Sequence, residues 1–141
     1  IFTGKQCKFG SKEQIDVHHI FPKAAMRKKI MKERKIKSKK DADKILREDE
    51  FFINSMVNKM LMTAGTNRDY IKDQMPSEYI EAIIDDGVTE DELKKRFLNS
   101  FIDEDSYNAL KKDDYHEFIK LRKKLIEKQI NGKIGHNLYD E

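Results

Sequence analysis

Near its start the chain carries the stretch Ile15-Asp16-Val17-His18-His19-Ile20-Phe21-Pro22, in which two adjacent histidines precede a proline. Weak alternation and β-branched residues predict a short strand over residues 14–21, which stops at Pro22 because proline cannot donate to a β ladder. Neighbouring residues of a strand point to opposite sides, so His18 and His19 address different partners. One imidazole is then free to bind a metal while the other acts as a general base.

A second strand and a helix are predicted downstream of the histidine pair. Residues 51–62 are apolar and partly alternating, and we interpret the second half of this run as a strand. A turn at Gly65 would end that strand. Thr66 or Asn67 would then cap a helix reaching about Gln74, since short polar side chains accept hydrogen bonds from the free N–H groups of a first turn.

Two asparagines complete a candidate catalytic site. The amide oxygen of Asn67 can join His18 on one divalent metal, with a phosphate oxygen and waters filling the rest of an open shell. His19 can take a proton from water because its ordinary pKa is about 6.5. Asn58 would instead hydrogen-bond the backbone of the loop after His19 and orient that residue. Together these groups are suited to metal-dependent hydrolysis of a phosphodiester.

The rest of the chain is predicted to be mainly helical. Charged residues make up 39% of it, and two prolines and six glycines provide few breaks between elements. Apolar residues at helical spacing and a capping box formed by Thr89 and Glu92 support this prediction. The predicted helices cover residues 23–34, 41–49, 76–85, the segment that starts at Thr89, and 113–131.

The net charge of +3 conceals an asymmetry, because residues 23–40 hold ten Lys or Arg and one acid, a net +9 that leaves −6 for the remainder. Such a segment is either a solvated helix face or a stripe that binds phosphates, and its position after the histidine pair favours nucleic acid. Several of its lysines fall at helical spacing and could face one phosphate track. The candidate contacts are Lys23, Arg27, Lys28, Lys29, Lys32 and Lys35, with Arg68 and Lys72 further along the chain.

Other residues bear on the compartment and on the extent of the protein. The single Cys7 excludes an internal disulfide and a Cys-x-x-Cys zinc knuckle, and it indicates a cytoplasmic protein. No apolar run reaches the roughly 18 residues needed to span a bilayer, so we expect no membrane partner. The first residue is Ile1 rather than Met, from which we expect a C-terminal fragment of a longer protein. His116 and His136 are interpreted as surface residues outside the site.

These residues resemble the HNH, or ββα-metal, nuclease superfamily. The segment His18–Pro22 is similar to the family's Asp/His-His-Ile-x-Pro core, and Asn58–Leu61 is similar to its Asn-x-x-Leu strand. Asn67-Arg68, with Lys72 further on, resembles its closing helix. Residues 56–78 are also similar in spacing to the HNH domain of RNA-guided CRISPR effectors. The context formed by Phe2-Thr3-Gly4-Lys5 and residues 16–23 resembles the nuclease half of GmrSD-type modification-dependent restriction enzymes.

The resemblance implies an α+β, mainly helical fold in one HNH nuclease domain, residues 1–141. Its ββα-metal core would consist of residues 14–22 and 56–75. A long basic helical insertion, residues 23–50, would separate the two strands, and a helical C-terminal extension would cover residues 76–141.

The resemblance also implies a metal-dependent DNA endonuclease, the effector of a restriction or phage-defence protein whose sensor or NTPase domain precedes it. The implied roles are metal ligands for His18 and Asn67, general base for His19 and loop clamp for Asn58. Many members have Asp where His18 stands, and Asn67 replaces the His that a three-histidine zinc site needs, so we expect Mg²⁺ or Mn²⁺. The alternatives are a non-catalytic nucleic-acid binding module and an RNase that uses the same site.

Overall fold

The computed structural model describes residues 15–48 and 50–139, without the side chains of Ala64 and residues 133–139. The expectations for Cys7 and for Phe2-Thr3-Gly4-Lys5 fall outside the described residues, as does the side chain of His136. Within the described part, mainly helical structure surrounds one small sheet, which confirms the α+β, mainly helical class. None of the described helices has both the length and the apolarity to cross a membrane.

The sheet is a two-stranded antiparallel ribbon. Its strands are β1 (Ile15–His19) and β2 (Lys59–Thr63). In the register of the ribbon, His18 lies opposite the buried Met60, on the face that packs against the core, and His19 lies opposite Lys59. The two imidazoles therefore leave the strand on different sides, as period-two alternation requires.

Besides the sheet, the described residues form seven α-helices, one 3₁₀ turn and one wider π turn, joined by loops. Residues 20–58, which separate the two strands, contain α1, α2 and a 3₁₀ turn, and the remaining helices follow β2. The elements are α1 (Lys23–Glu33), α2 (Lys39–Arg47), the 3₁₀ turn Met56–Asn58, α3 (Ala64–Thr66), the π turn Asn67–Ile71, α4 (Pro76–Asp85), α5 (Glu90–Leu98), α6 (Glu104–Lys111) and α7 (Tyr115–Tyr139).

Polar side chains fix where several of these helices begin. Ser38 Oγ accepts from the backbone N–H of Asp41 at 3.3 Å, and Thr89 Oγ1 accepts from that of Glu92 at 3.2 Å. Asp103 caps α6 in the same way, with 2.9 Å from its Oδ1 to the Ser106 nitrogen. The helix α6 was not predicted from the sequence, although an Asp followed by two acidic residues is a start signal for a helix.

The structure corrects the predicted helix bounds at both ends of the basic segment. The first helix ends at Glu33, so Lys35 lies beyond it with a φ of 55°. The helical spacing predicted for Lys28, Lys29, Lys32 and Lys35 therefore extends only to Lys32. The second helix begins at Lys39, two residues before the predicted start, because Ser38 caps it. At the far end of the chain, α7 continues past the predicted end at residue 131 and reaches Tyr139.

The predicted helix from Thr66 to Gln74 is also different in the structure. Thr63, not Thr66 or Asn67, caps the segment, since its Oγ1 accepts from the Thr66 nitrogen at 3.1 Å. Gly65 lies inside the short α3 instead of a turn, and a π turn follows up to Ile71. Asn67 therefore comes one turn after the helix begins.

The core lies between α1, the ribbon and the C-terminal helices, and the loop after β1 is anchored in it. Phe21 is fully buried, and its ring centroid lies 5.2 Å from that of Tyr115 and 5.4 Å from that of Phe118. The buried Tyr79 hydroxyl donates to the Ile20 carbonyl at 2.9 Å. The backbone that follows His19 is thus fixed by α4 and α7.

Candidate functional site

His18, His19 and Asn67 meet in one surface cavity of about 200 Å³. We call it the histidine cavity and define it by its lining residues. Lys23 and Lys72 also line it, and no acidic side chain of the described residues does. The full lining is His18, His19, Pro22, Lys23, Ala24, Asn67 and Lys72.

Local structure explains why residues so far apart in the sequence converge. β1 ends at His19, and the first residues of α1 follow directly after Pro22, so the strand end and the helix start share one corner. Asn67 reaches that corner from the π turn after β2, with its carbonyl accepting from the Lys72 nitrogen at 2.8 Å. π turns are rare and recur at functional sites.

One ring nitrogen of His18 lacks a hydrogen bond within the described residues. Its Nε2 is buried and has no hydrogen-bond partner among the described residues. A buried polar atom left unsatisfied costs about 1–3 kcal/mol, so native structures rarely keep one without a reason. In the tautomer that carries its proton on Nδ1, this nitrogen would offer a lone pair to a metal ion.

His19 is tethered through its side chain. Its Nε2 lies 3.0 Å from Asn54 Oδ1, and because an amide oxygen only accepts, this contact places the proton on Nε2 and leaves the lone pair on Nδ1. Burial lowers the pKa of His19 below its ordinary value, the hydrogen bond to Asn54 opposes that shift, and nearby Lys59 and Lys23 reinforce it. His19 is therefore neutral near pH 7, as a proton acceptor must be.

Asn58 makes the hydrogen bonds that were predicted for it from the sequence. It is fully buried, and its Oδ1 accepts from the Phe21 nitrogen at 2.9 Å. Its Nδ2 donates to the carbonyls of Phe21 at 3.2 Å and Ile53 at 3.0 Å. The backbone carbonyl of Asn58 accepts from the Ile20 nitrogen at 2.8 Å. Asn58 thus holds the two residues that follow His19.

The donor set of the cavity fits a divalent metal only with an open coordination shell. His18 offers an orphaned nitrogen and Asn67 offers an amide oxygen. In the part of the chain that the structure describes, no group of three His, Cys, Asp or Glu could hold an ion. Two protein ligands leave positions for substrate and water, which is the arrangement of a catalytic metal and differs from the closed set of a structural zinc site.

Four of the eight predicted nucleic-acid contacts are engaged in ion pairs. Arg27 pairs with Asp43 through Nε at 2.6 Å, and Lys28 Nζ lies 2.7 Å from Asp73 Oδ2. Lys29 lies 3.9 Å from Glu33 and donates to a backbone carbonyl at 3.3 Å, and Arg68 pairs with its neighbour Asp69 at 3.2 Å. Each of these four cations thus has an acidic partner in place.

The other four, Lys23, Lys32, Lys35 and Lys72, form no ion pair within residues 15–48 and 50–139. Lys23 and Lys72 line the histidine cavity. Lys32 lines a larger groove along α1, of about 900 Å³, which we call the α1 groove. Its charged lining is balanced, with Lys28, Lys29, Lys32 and Lys112 facing Glu33, Asp73, Glu78 and Asp113.

Asn54 belongs to the site, although no feature of the sequence predicted it. It lies four residues before Asn58 in a turn without a recognisable motif. Its contact with His19 spans 35 positions of sequence, so only the tertiary fold reveals it. His116, interpreted as a surface residue, is exposed and stacks on Phe51 at 4.9 Å between ring centroids.

Comparison with known proteins gives one weak similarity. The chain is 27% identical, over an alignment of 154 residues, to an uncharacterized protein of the archaeon Methanocaldococcus jannaschii. That alignment covers 92% of this chain and 23% of the archaeal protein, so the chain spans about a quarter of the length of that relative. No family model and no solved structure matches the chain.

Proposed function

We propose that the chain is a metal-dependent DNA endonuclease of the HNH type that hydrolyses phosphodiester bonds in the histidine cavity. The observation that carries the proposal is the meeting of three groups in one acid-free cavity: the orphaned nitrogen of His18, the tethered ring of His19 and the amide of Asn67. The order of β1, β2 and the helical segment that bears Asn67 also agrees with the ββα core that the resemblance implies.

The residues of the cavity divide the work of hydrolysis. His19 accepts the proton of the attacking water at Nδ1, since its Nε2 is occupied by Asn54. Lys23 and Lys72 hold the scissile phosphate by charge, because no carboxylate of the described lining competes for them. His18 and Asn67 would hold Mg²⁺ or Mn²⁺, which when bound stabilises the charge that develops on the phosphate and the leaving oxygen.

The wider proposal concerns the kind of protein to which such a nuclease domain would belong. The resemblance to GmrSD-type enzymes supports an effector domain of a restriction or phage-defence protein, acting in the cytoplasm on double-stranded DNA. A sensor or NTPase domain would then lie outside this chain. The archaeal relative, about four times as long as the aligned segment, has room for such additional domains.

A plasmid cleavage assay tests the proposal. Supercoiled DNA is incubated with the protein and Mg²⁺, Mn²⁺ or a chelator, and nicked and linear products are expected only with a metal. Single-stranded DNA and RNA are assayed in parallel, and cleavage restricted to RNA would identify an RNase. Binding of duplex DNA without cleavage under any metal would favour the non-catalytic module.

A further inference from the structure

Arg122 of α7 is a buried cation without a carboxylate partner in the described residues. Only 4% of it is exposed. Its guanidinium donates to three backbone carbonyls: Ser100 at 3.0 Å from Nη2, Lys59 at 2.8 Å from Nη1, and Val57, also from Nη1. Removing a charge from water in this way is expensive, and the hydrogen bonds to these carbonyls offset part of that cost.

The carbonyls that Arg122 binds lie on either side of Asn58. Val57 precedes Asn58 and Lys59 follows it, so the guanidinium fixes the peptide units that flank the clamp residue. Asn58 in turn holds the backbone of Ile20 and Phe21, directly after His19.

A second route from Arg122 to His19 runs through the ribbon. Lys59 is the register partner of His19 in the β ladder. The carbonyl that Arg122 holds at Lys59 therefore belongs to the residue opposite the proposed base. Both routes connect α7, in the C-terminal extension, to the end of β1.

We propose that Arg122 is a positioning residue of the histidine cavity: by clamping the carbonyls of Val57 and Lys59 it sets the Asn58 turn, and through that turn the orientation of His19. This inference rests on the proposed function. It assigns the C-terminal extension a part in the site, because the extension supplies the cation that holds the Asn58 turn. Burial lowers the pKa of Arg122 to about 10, which leaves the guanidinium charged at neutral pH.

The test compares Arg122→Met and Arg122→Lys with the control Tyr107→Phe in cleavage of a duplex oligonucleotide. Tyr107 is fully buried, and its hydroxyl donates to Glu90 at 3.2 Å between α6 and α5, so the control weakens the fold away from the cavity. Arg122→Met should lower kcat about 10- to 100-fold, the effect of a misplaced catalytic group. KM and Mn²⁺ affinity should stay unchanged, because Arg122 contacts neither the cavity lysines nor the proposed ligands.

The conservative variant separates positioning from general destabilisation. Lysine keeps the charge and can reach one carbonyl, so Arg122→Lys should recover part of the kcat that Arg122→Met removes. The double variant Arg122→Lys with Asn58→Ser should have a kcat only slightly below that of Asn58→Ser alone, since both changes act through one loop. The inference is overturned if folded Arg122→Met has the kcat of the wild type, or if Tyr107→Phe lowers kcat as much as Arg122→Met does. It is also overturned if the double variant lowers kcat by the product of the two single effects.

Amide hydrogen exchange tests the positioning independently of activity. The nitrogens of Ile20 and Phe21 both donate to Asn58, so their exchange should accelerate in Arg122→Lys and not in Tyr107→Phe. Equal protection of these two amides in wild type and Arg122→Lys would overturn the inference even if the protein cleaves DNA. A wild type that cleaves no nucleic acid would reject the proposed function, and the exchange result would still decide whether Arg122 sets this loop.

Discussion

The histidine cavity and the α1 groove are neighbours, and both are lined by lysines, but their electrostatics differ. Lys23 and Ala24 line the cavity and Ala25 and Lys28 line the groove; Lys72 belongs to the cavity and Asp73 to the groove. The groove matches four lysines with four carboxylates, whereas the described lining of the cavity has two lysines and no carboxylate. The described lining of the histidine cavity therefore has a net positive charge, whereas the charges that line the α1 groove balance.

This difference shows that a run of basic residues does not by itself define a basic surface. The partners of the run come from distant segments: Asp43 for Arg27, Asp73 for Lys28 and Glu50 for Arg34. The cavity also contains two energetic deficits: the His18 nitrogen without a hydrogen-bond partner among the described residues, and the positive φ of 43° at Lys72. Such deficits are typical of functional sites, while compensated charges are typical of solvated faces.

The largest expected effect is that of removing the proposed base, His19, from the cavity. His19→Ala should lower the rate of DNA cleavage by about 10²–10⁴-fold, the usual contribution of a general base. The matched control is His116→Ala, which removes an exposed imidazole that does not line the histidine cavity. Single-turnover cleavage at saturating Mn²⁺ measures both. Equal rates in the two variants would remove His19 from the proposed site.

Next in size is the effect on metal affinity. His18→Ala and Asn67→Ala should each weaken Mn²⁺ binding by at least about tenfold, because each removes a proposed direct ligand. Asn58→Ala should lower the cleavage rate with metal affinity largely kept. Calorimetric titration with Mn²⁺ gives the affinities. An affinity unchanged in both ligand variants would exclude them from the shell.

A third prediction compares the two sets of lysines directly. Lys23→Gln with Lys72→Gln removes two charges from the cavity, and Lys28→Gln with Lys29→Gln removes two from the groove. Every lysine that no longer neutralises a phosphate should flatten the slope of log affinity against log salt by about 0.9, so the cavity pair should change it by up to about 1.8 and the groove pair by much less. Measuring the affinity for duplex DNA across a salt series compares the two pairs. A larger change from the groove pair would instead support the predicted binding of phosphates along α1.

The pH dependence of cleavage should reflect the environment of His19. A base must be neutral, and since burial lowers the pKa of His19, kcat/KM should fall with decreasing pH only below about 6.5, its ordinary value. The hydrogen bond to Asn54 raises that pKa, so Asn54→Ala should move the acid limb to lower pH and also reduce kcat by releasing the ring. The exposed Asn108, changed to Ala, is the control. An acid limb that moves upward in Asn54→Ala would contradict this role.

The smallest expected effect separates backbone strain from charge. Lys72 and Lys35 have φ values of 43° and 55°, a region that favours glycine. Lys72→Gly and Lys35→Gly should each raise the free energy of unfolding by up to about 1 kcal/mol, measured by urea denaturation. Only Lys72→Gly should also weaken duplex binding, because only Lys72 lines the cavity. Equally weakened binding in both variants would mean that their charges act non-specifically.

Much of the fold could be predicted from local signals. The β1 strand and the helix that opens at Pro76 depend on neighbours in sequence, and the structure contains both. Of the predicted capping box, the structure shows the bond from the Glu92 nitrogen to Thr89 Oγ1, while the Glu92 carboxylate pairs with Arg96. The bonds of Asn58 to the loop after His19 were also predicted. The start of α3 was missed because its cap, Thr63, also belongs to the end of a strand and reads as part of it.

By itself the sequence determined the α+β, mainly helical class, the breaks at Pro22 and Thr89, and the residue types gathered in the histidine cavity. Periodicity, capping and alternation act over a few residues, and so they are legible in the chain. Only the tertiary structure decided which lysines keep their charge unpaired, which residue tethers His19, and that Arg122 holds the Asn58 turn. Those outcomes depend on contacts between segments tens of residues apart, and a side chain's partner across such a distance is set by how the core packs.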